Sequence, residues 1–307
     1  MKLRKVYLNQ INEDWVVDRF RKEWYQFNSE ISSEKINNSD IVWIIAPWMW
    51  KKLSKRQLLN KKVICTIHHI DFDKFGKKEE KDFYNRDKFV DEYHVISDKT
   101  KKQVEKLTTK KINVIPFWVN QDLWFEIKNK DELYKKFNFN KNNFYIGSFQ
   151  RDTEGSDLVS PKLSKGPDIF LEVVKHYKQK INNIEVVLTG KRRNYIIQKL
   201  EENNIKFSYF EMVDFKTLNE LYNCLNLYVV SSRVEGGPQS IMECASTMTP
   251  LISTDVGIAN EILSNKSIYN IENLKNAEPN TLIARKNVEK FFVPDGFIEF
   301  KELINKI

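Results

Sequence analysis

Short apolar runs alternate with longer amphipathic stretches along the whole chain, and this pattern limits the folds that the chain can adopt. Residues 1–138 hold five strand-like runs: Val6–Leu8, Ile41–Ala46, Val63–Ile67, Tyr93–Ile96 and Ile112–Ile115. The remainder holds five more: Phe144–Ser148, Ile184–Leu188, Phe207–Phe210, Leu225–Ser231 and Leu251–Ser253. Strands that alternate with helices form parallel sheets covered by helices on both faces. Because the series occurs twice, the sequence predicts an α/β fold with two Rossmann-like domains.

The chain has 307 residues, which is enough for two domains of ordinary size. We predict an N-terminal domain in residues 1–138 and a C-terminal domain in residues 139–287. Residues 288–307 are amphipathic and are predicted to pack back toward the N-terminal domain. The polar run Lys128–Asn143 carries no strand signal and is the linker candidate. Ligands of open parallel sheets bind at the carboxyl ends of the strands, where the strand order reverses.

One short segment carries most of the chemical information. Glu235 and Glu243 bracket seven residues, which begin with Gly236, Gly237 and Pro238. A buried strand precedes this segment and a helical pattern follows it, so the first carboxylate lies on a strand-to-helix turn and the second inside the helix. The glycines let the backbone approach a ligand closely, and Pro238 suits the first helical position. Free N–H groups at a helix start can face an anion, so this segment predicts a site for a polyhydroxylated, phosphorylated ligand.

The composition limits the partners and the compartment. The formal net charge of +8 favours an anionic partner such as a nucleotide, a phosphorylated lipid or a nucleic acid. A solvated, lysine-rich surface explains the same charge, and both interpretations stay open. Cys65, Cys224 and Cys244 fit no metal spacing and indicate a reducing compartment. The N-terminus is charged and no apolar run is long enough to span a bilayer, so we expect a cytoplasmic protein without a signal peptide.

The segment from Ser232 to Pro238, followed by Glu243, resembles the signature of retaining glycosyltransferases with the GT-B fold. It is most similar to family 4, the group 1 glycosyl transferases akin to glycogen synthase. Further segments agree with this resemblance: Lys165–Asp168, Leu188–Gly190, Leu218–Ala245, Pro250–Gly257 and, more loosely, Ile115–Asn120. The resemblance is strong from about Phe144 to Leu263. It implies two Rossmann-like domains that face a central cleft.

The resemblance also implies roles for single residues. Glu235 would hydrogen-bond hydroxyl groups of the donor sugar, and Glu243 would hold the two ribose hydroxyls. Lys165 and Arg151 would bind the diphosphate, and His69 would face the sugar from the other domain. The resemblance also implies that the donor is bound by Gly236, Gly237, Pro238, Gln239, Gly190, Lys191 and Val213. Among these residues, Pro238 has no backbone N–H to donate.

Two departures from the family pattern are visible. The family carries a glycine pair after its first strand, whereas Leu8–Asn12 contains no glycine. A long polar insertion, Asp152–Ser164, separates Arg151 from Lys165 and is a candidate flap over the donor.

Asp71-Phe72-Asp73 resembles the Asp-x-Asp metal motif of the other glycosyltransferase fold, but the downstream motifs favour the metal-independent one. We therefore predict no metal and no cofactor.

These observations predict a retaining, metal-independent glycosyltransferase that transfers a hexosyl or related group. The donor would be a nucleotide sugar and the acceptor a saccharide or lipid-linked glycan, in glycan or polysaccharide synthesis. A nucleotide-sugar epimerase of the same fold is the alternative enzyme, and a non-catalytic nucleic-acid-binding protein is the alternative outside enzymology. We expect no nucleic-acid partner, because basic and aromatic residues mix only in residues 48–62.

That mixed segment is a candidate surface patch. Trp48 and Trp50 stand beside Lys51 and Lys52. Aromatic side chains enter a membrane interface and basic side chains meet anionic headgroups, so this patch predicts contact with an acceptor or peripheral contact at the inner membrane face. Core packing of the aromatic residues beside a solvated helix explains the same pattern.

Overall fold

The computed structural model describes residues 4–10, 12–13 and 16–307. The described strands, in chain order, are β1 (Val6–Leu8), β2 (Ile41–Ile44), β3 (Lys62–Ile67), β4 (Glu92–Val95), β5 (Ile112–Val114), β6 (Phe144–Ser148), β7 (Ile184–Thr189), β8 (Lys206–Phe210), β9 (Leu227–Val230), β10 (Leu251–Thr254) and β11 (Ile268–Tyr269). The described helices are α1 (Val16–Phe27), α2 (Lys55–Leu59), α3 (Lys77–Asp87), α4 (Asp98–Val104), α5 (Lys130–Lys136), α6 (Pro167–Lys178), α7 (Asn194–Glu202), α8 (Phe215–Cys224), α9 (Gln239–Thr247), α10 (Ala259–Ile262), α11 (Thr281–Val288) and α12 (Ile298–Lys306). Among these helices, none combines the length and the apolar character needed to cross a bilayer.

Packing divides the described residues into two compact units. The first unit contains the residues up to Phe117 together with Pro294–Ile307, and the second contains Trp118–Val293. These divisions fall elsewhere than residues 138/139 and 287/288, where the sequence analysis placed them. Residues 118–138 join the second unit because the N–H of Phe125 donates to the Oδ1 atom of Asn219 at 3.1 Å, on helix α8.

The polar run 128–143 is not a linker, which corrects the sequence analysis. It contains helix α5, and Leu133 and Phe139 within it are buried. The hydroxyl group of Tyr134 lies 3.4 Å from the carbonyl oxygen of Cys224, at the end of helix α8. Single apolar residues at wide spacing therefore anchor a segment whose composition is otherwise polar.

The sheet of the first unit has the strand order β1-β2-β3-β4-β5, and each neighbouring pair is parallel. Side chains alternate between the two faces of a strand, so Val42 and Ile44 of β2 enter one apolar core and Trp43 lies on the opposite face. On that opposite face the ring of Phe300 from helix α12 stacks on Trp43, with centroids 5.1 Å apart. The ring of Phe297 meets Trp24 of helix α1 edge-on at 5.6 Å.

A buried histidine lies under this aromatic layer. Thr66 lies 2.9 Å from Nδ1 of His94, and the carbonyl oxygen of Ile115 lies 2.7 Å from Nε2. The indole N–H of Trp43 donates to the hydroxyl oxygen of Thr66 at 2.8 Å. Complete burial lowers the pKa of His94 to about 3, because a charged imidazole would lose its hydration there. His94 is therefore neutral in the folded protein.

The sheet of the second unit has the strand order β11-β10-β9-β6-β7-β8, and each neighbouring pair is parallel. The chain runs outward from β6 through β7 to β8, then returns to β9 on the other side of β6. The strand order therefore reverses between β6 and β9, and the carboxyl ends of these two strands lie side by side. An open parallel sheet binds its ligands at such a reversal point.

Candidate active site

Two of the predicted residues, Lys165 and Glu235, meet where the strand order of the second sheet reverses. The segment after β9 carries Ser232 and Glu235, and the segment after β6 carries Gln150. Lys165 comes from the short turn before helix α6. These side chains, which are far apart in the sequence, form one continuous set of contacts described below.

Lys165 and Glu235 form an ion pair at the centre of this site. The Nζ atom of Lys165 donates a hydrogen bond to the Oε1 atom of Glu235. The two side chains are only 21% and 12% exposed, so water screens the pair less than it screens a surface pair. The sequence analysis placed both residues at the donor but did not predict that they bond each other.

The backbone around Lys165 is held against the segment after β9. The N–H groups of Arg233 and Val234 donate to the carbonyl oxygen of Ser164, at 2.8 and 3.2 Å. Gly166 has a φ of +59°, and a Cβ atom there would lie 1.9 Å from the carbonyl oxygen of Ser231. Only glycine allows both this left-handed conformation and this close approach. The Lys-Gly pair of the sequence motif therefore places Lys165 beside Glu235.

Two polar side chains that the sequence analysis did not single out complete this set. The amide of Gln150 donates to the carbonyl oxygen of Lys165 at 2.9 Å. The hydroxyl group of Ser232 lies 3.2 Å from an oxygen of Gln150 and 3.2 Å from Glu235. Gln150 and Ser232 therefore connect the ends of β6 and β9 to the ion pair. Position after a strand was the only sequence signal for Gln150, whereas Ser232 also opens the segment that resembles the family signature.

The second carboxylate of the motif is more deeply buried than the first. Glu243 lies in helix α9 and is 6% exposed. The hydroxyl group of Tyr222, from helix α8, donates to its Oε2 atom at 2.8 Å. Burial raises the pKa of Tyr222 well above its usual value, and the nearby carboxylate adds to that shift. Tyr222 therefore stays protonated and holds one oxygen of Glu243 in a fixed position.

The glycine pair lies between the two carboxylates, and Pro238 separates it from helix α9. Helix α9 begins at Gln239, so Pro238 precedes the first helical position instead of occupying it, which corrects the sequence analysis. Gly236 is buried because Gly257, with a φ of +48°, lies against it. A Cβ atom on Gly257 would lie 2.3 Å from the carbonyl oxygen of Gly236. The start of helix α9 is thus on the same segment as Glu235.

Arg151 lies outside the set of contacts around Lys165. Its Nε atom donates to the carbonyl oxygen of Thr153 at 2.9 Å, inside the insertion. Thr153 also pairs with Pro161 in an isolated bridge, so the insertion is closed at its base while residues 155–159 are exposed. The structure therefore brings Lys165 to Glu235 but turns Arg151 toward the insertion.

A second ion pair, which the sequence analysis missed, fixes the start of the insertion. Arg193 and Asp152 bond each other, and their side chains are 1% and 2% exposed. Arg193 also donates to the carbonyl oxygen of Thr189 at 2.7 Å and to the hydroxyl oxygen of Ser148 at 3.2 Å. The burial of Asp152 raises the pKa of its carboxyl group, and Arg193 opposes that shift. Arg193 belongs to a basic run together with Lys191 and Arg192. Because such a run is typical of a solvent-exposed surface, the sequence did not reveal this buried pair.

The remaining predicted residues are more dispersed. Gly190 and Lys191 follow β7 and Val213 follows β8, which places them at the same edge of the sheet as Glu235. Gly190 has a φ of +90° and no atom within 4 Å of a Cβ position, so the space beside it is open. His69 is exposed and lies two residues after β3 in the first unit. Its predicted place at the donor sugar remains a prediction.

The structure also locates the Asp-x-Asp motif and the candidate surface patch. Within residues 4–10, 12–13 and 16–307, no three His, Cys, Asp or Glu side chains are grouped to hold a metal ion. Asp71 and Asp73 lie on a turn after β3. In the candidate surface patch, Trp50 is buried and donates to the carboxylate of Asp82 at 3.2 Å, whereas Trp48 is 48% exposed. One of the two aromatic residues of that patch therefore belongs to the core.

Comparisons with known proteins agree with this fold. Residues 158–292 match the family model described as glycosyl transferases group 1. The structure of HepE from Anabaena in complex with UDP and glucose is similar with a TM-score of 0.72 and 12% identity, over 99% of this chain and 100% of that one. For sucrose-phosphate synthase from Thermosynechococcus elongatus, the TM-score is 0.68 and the identity 14%, over 97% of this chain and 80% of that one. For a glycosyltransferase from Rickettsia africae, the TM-score is 0.63 and the identity 19%, over 97% of this chain and 84% of that one.

No sequence among the curated proteins matches this chain. The structural likenesses cover nearly the whole chain at low identity, so they establish the fold. The family match covers the segment that contains Lys165, Glu235 and Glu243. The chain therefore has the GT-B fold of two parallel α/β sheets, and its residues 158–292 match the family model of the group 1 glycosyl transferases.

Proposed function

We propose that this protein is a retaining glycosyltransferase that moves a sugar from a nucleotide-sugar donor to a saccharide or lipid-linked acceptor. The observation that carries this proposal is the position of the Lys165–Glu235 pair, where the strand order reverses between β6 and β9. A carboxylate that accepts hydrogen bonds from sugar hydroxyls and a cation that meets a phosphate stand side by side there. The HepE structures contain UDP, UDP with glucose, or UDP-glucose, which supports a nucleotide-sugar donor.

Each residue has a task that follows from its chemistry. Cleavage of the glycosyl–phosphate bond builds positive charge on the sugar and negative charge on the leaving diphosphate. Lys165 and the N–H groups of Gly237 and Gln239 meet that negative charge, while Glu235 binds the sugar and stabilises its positive charge. Preorganised donors of this kind are worth about 10²–10³ in rate each.

The nucleoside part of the donor binds farther along the same segment. Glu243 accepts hydrogen bonds from the two ribose hydroxyls, because one carboxylate can accept both. Gly190, Lys191 and Val213 lie beyond β7 and β8 and contact the remainder of the nucleotide. No metal ion is needed, because Lys165 and the helix start supply the positive charge that a divalent cation supplies in other enzymes.

A panel of nucleotide sugars tests this proposal directly. The purified protein is incubated with each donor and a mixture of saccharide acceptors, and release of the nucleoside diphosphate is followed by chromatography. One donor should be consumed, the product should keep the anomeric configuration of that donor by NMR, and a chelator should leave the rate unchanged. Inversion of the anomeric centre would contradict a retaining mechanism. A sugar epimerised without acceptor would instead identify an epimerase, and a rate restored only by manganese would contradict metal independence.

A further inference from the structure

We infer that Glu235 also expels the product: it competes with the nucleoside diphosphate for Lys165 and thereby limits how tightly the diphosphate is held after transfer. This inference rests on the proposed function. Its starting point is that the cation assigned to the diphosphate is already bonded to a carboxylate in the structure. A diphosphate can bind Lys165 only by displacing that carboxylate or by sharing the cation with it.

The surroundings make the exchange costly for a diphosphate alone. Both side chains of the pair are mostly buried, so bulk water screens their attraction only in part. Gln150 and Ser232 hold the pair from one side, through the carbonyl oxygen of Lys165 and the carboxylate of Glu235. An incoming diphosphate therefore meets a neutral pair instead of a bare cation.

An intact nucleotide sugar changes this balance. Its sugar hydroxyls donate hydrogen bonds to Glu235, so the carboxylate gains new partners at the moment when it gives up Lys165. After transfer the sugar leaves with the acceptor, and Glu235 loses those partners. Its oxygen then returns to Lys165, and the diphosphate is released. Glu235 thus lowers the affinity for the free diphosphate, which a residue that only binds sugar would not do.

Calorimetric titration with nucleoside diphosphates tests the inference. The probes are UDP, ADP, GDP, CDP and dTDP, each titrated into the wild type and into Glu235→Gln. We expect Glu235→Gln to bind the preferred diphosphate roughly tenfold more tightly, because the carboxylate that competes for Lys165 is gone. A tenfold gain in affinity is a modest change in binding free energy. The variant should also show stronger product inhibition. Glu172→Gln on helix α6 removes one exposed carboxylate from the same unit and should leave the affinity within about twofold, as expected for a screened surface charge.

The same substitution in a Lys165→Met variant shows whether the gain in diphosphate affinity depends on Lys165. In Lys165→Met, the added change Glu235→Gln should alter diphosphate affinity by less than about threefold, because no cation is left to release. An equal gain in both backgrounds would overturn the exchange and indicate simple repulsion. Unchanged or weaker diphosphate binding in Glu235→Gln would overturn it as well. If the wild type and the variants bind none of the five diphosphates, the proposed function fails and the inference fails with it.

Discussion

Lys165 and Glu235 are 70 positions apart in the sequence, yet they bond each other at the carboxyl ends of neighbouring strands. Their position is set by backbone contacts: the close approach of Gly166 to Ser231 and the N–H groups that reach Ser164. At the scale of single residues, the site is thus a cation and a carboxylate, which the close backbone approach at Gly166 brings next to each other. Under the proposed function, its chemistry depends on the cation being present when the diphosphate leaves.

Substitution of Lys165 tests that dependence. Lys165→Met should lower turnover by roughly tenfold or more, because the leaving diphosphate loses a preorganised positive charge. The measurement is steady-state kinetics with the donor identified from the panel. The matched control, Lys175→Met on the exposed face of helix α6, should keep turnover near that of the wild type. Equal turnover in Lys165→Met would remove Lys165 from the mechanism.

Tyr222 is the residue through which the position of Glu243 can be tested. In Tyr222→Phe the ring still fills its buried site, but the hydrogen bond to the Oε2 atom of Glu243 is lost. The donor KM should rise about three- to tenfold while kcat changes little, since a hydrogen bond to a charged group contributes about 1.5–3 kcal/mol and part of this reaches the ribose contact. A loss of kcat at constant KM would contradict the assignment of Glu243 to the ribose. Thermal unfolding of the variant separates this effect from loss of structure.

At the scale of elements, loops that follow different strands are joined by buried polar contacts. Arg193 connects the ends of β6 and β7 to the start of the insertion through Ser148, Thr189 and Asp152. In the first unit, His94 connects β4 to β3 and to the segment after β5. These contacts hold the carboxyl edges of the two sheets, where the predicted binding residues lie.

Removal of Arg193 should destabilise the second unit strongly. Arg193→Met leaves the carboxylate of Asp152 buried without its cation, and breaking such a pair typically costs about 3–5 kcal/mol. Denaturant unfolding followed by circular dichroism measures this loss. The adjacent variant Arg192→Met is the control, because Arg192 is exposed and its loss should cost less than about 1 kcal/mol. Similar stabilities for the two variants would show that the buried pair contributes little.

The neutral state of His94 makes stability depend on pH. Its pKa is about 3 when folded, and an exposed histidine titrates near 6.5, so the unfolded chain binds an extra proton between these values. Stability is therefore fully present above pH 6.5 and is lost as the pH falls. The free energy of unfolding should be about 2 kcal/mol lower at pH 5 than at pH 7 from this residue alone.

The variant His94→Asn isolates that contribution. It should be less stable than the wild type at pH 7, because the contacts to Thr66 and Ile115 are lost or weakened. The stability difference between the two proteins should shrink by about 2 kcal/mol on going from pH 7 to pH 5. A difference that is constant with pH would show that His94 does not carry the proton-linked loss.

At the scale of the whole molecule, the regular elements were predictable and most tertiary contacts were not. The apolar runs located the strands β1 to β10 to within two residues, because buried parallel strands need continuous apolar sequence. Strand β11 was missed because two residues give no periodicity. Helix α5 was read as a linker because its few apolar residues stand among lysines.

The same distinction applies to the candidate site. The sequence predicted Glu235, Lys165 and Glu243, since a glycine-containing turn after a strand is a local pattern. Gln150 and Tyr222 were missed, because their roles arise from contacts with residues that are distant in the sequence. A motif thus identifies candidate ligand-binding residues more readily than the residues that hold them in place.

The most direct test is a crystal structure of the protein with its preferred nucleoside diphosphate bound. The account predicts that the ribose hydroxyls lie within hydrogen-bond distance of the carboxylate of Glu243 and that the terminal phosphate contacts Lys165. The oxygen of Glu235 should have moved away from Lys165 in that complex. A diphosphate bound elsewhere on the molecule, with the Lys165–Glu235 pair intact and Glu243 distant from the ribose, would contradict the account.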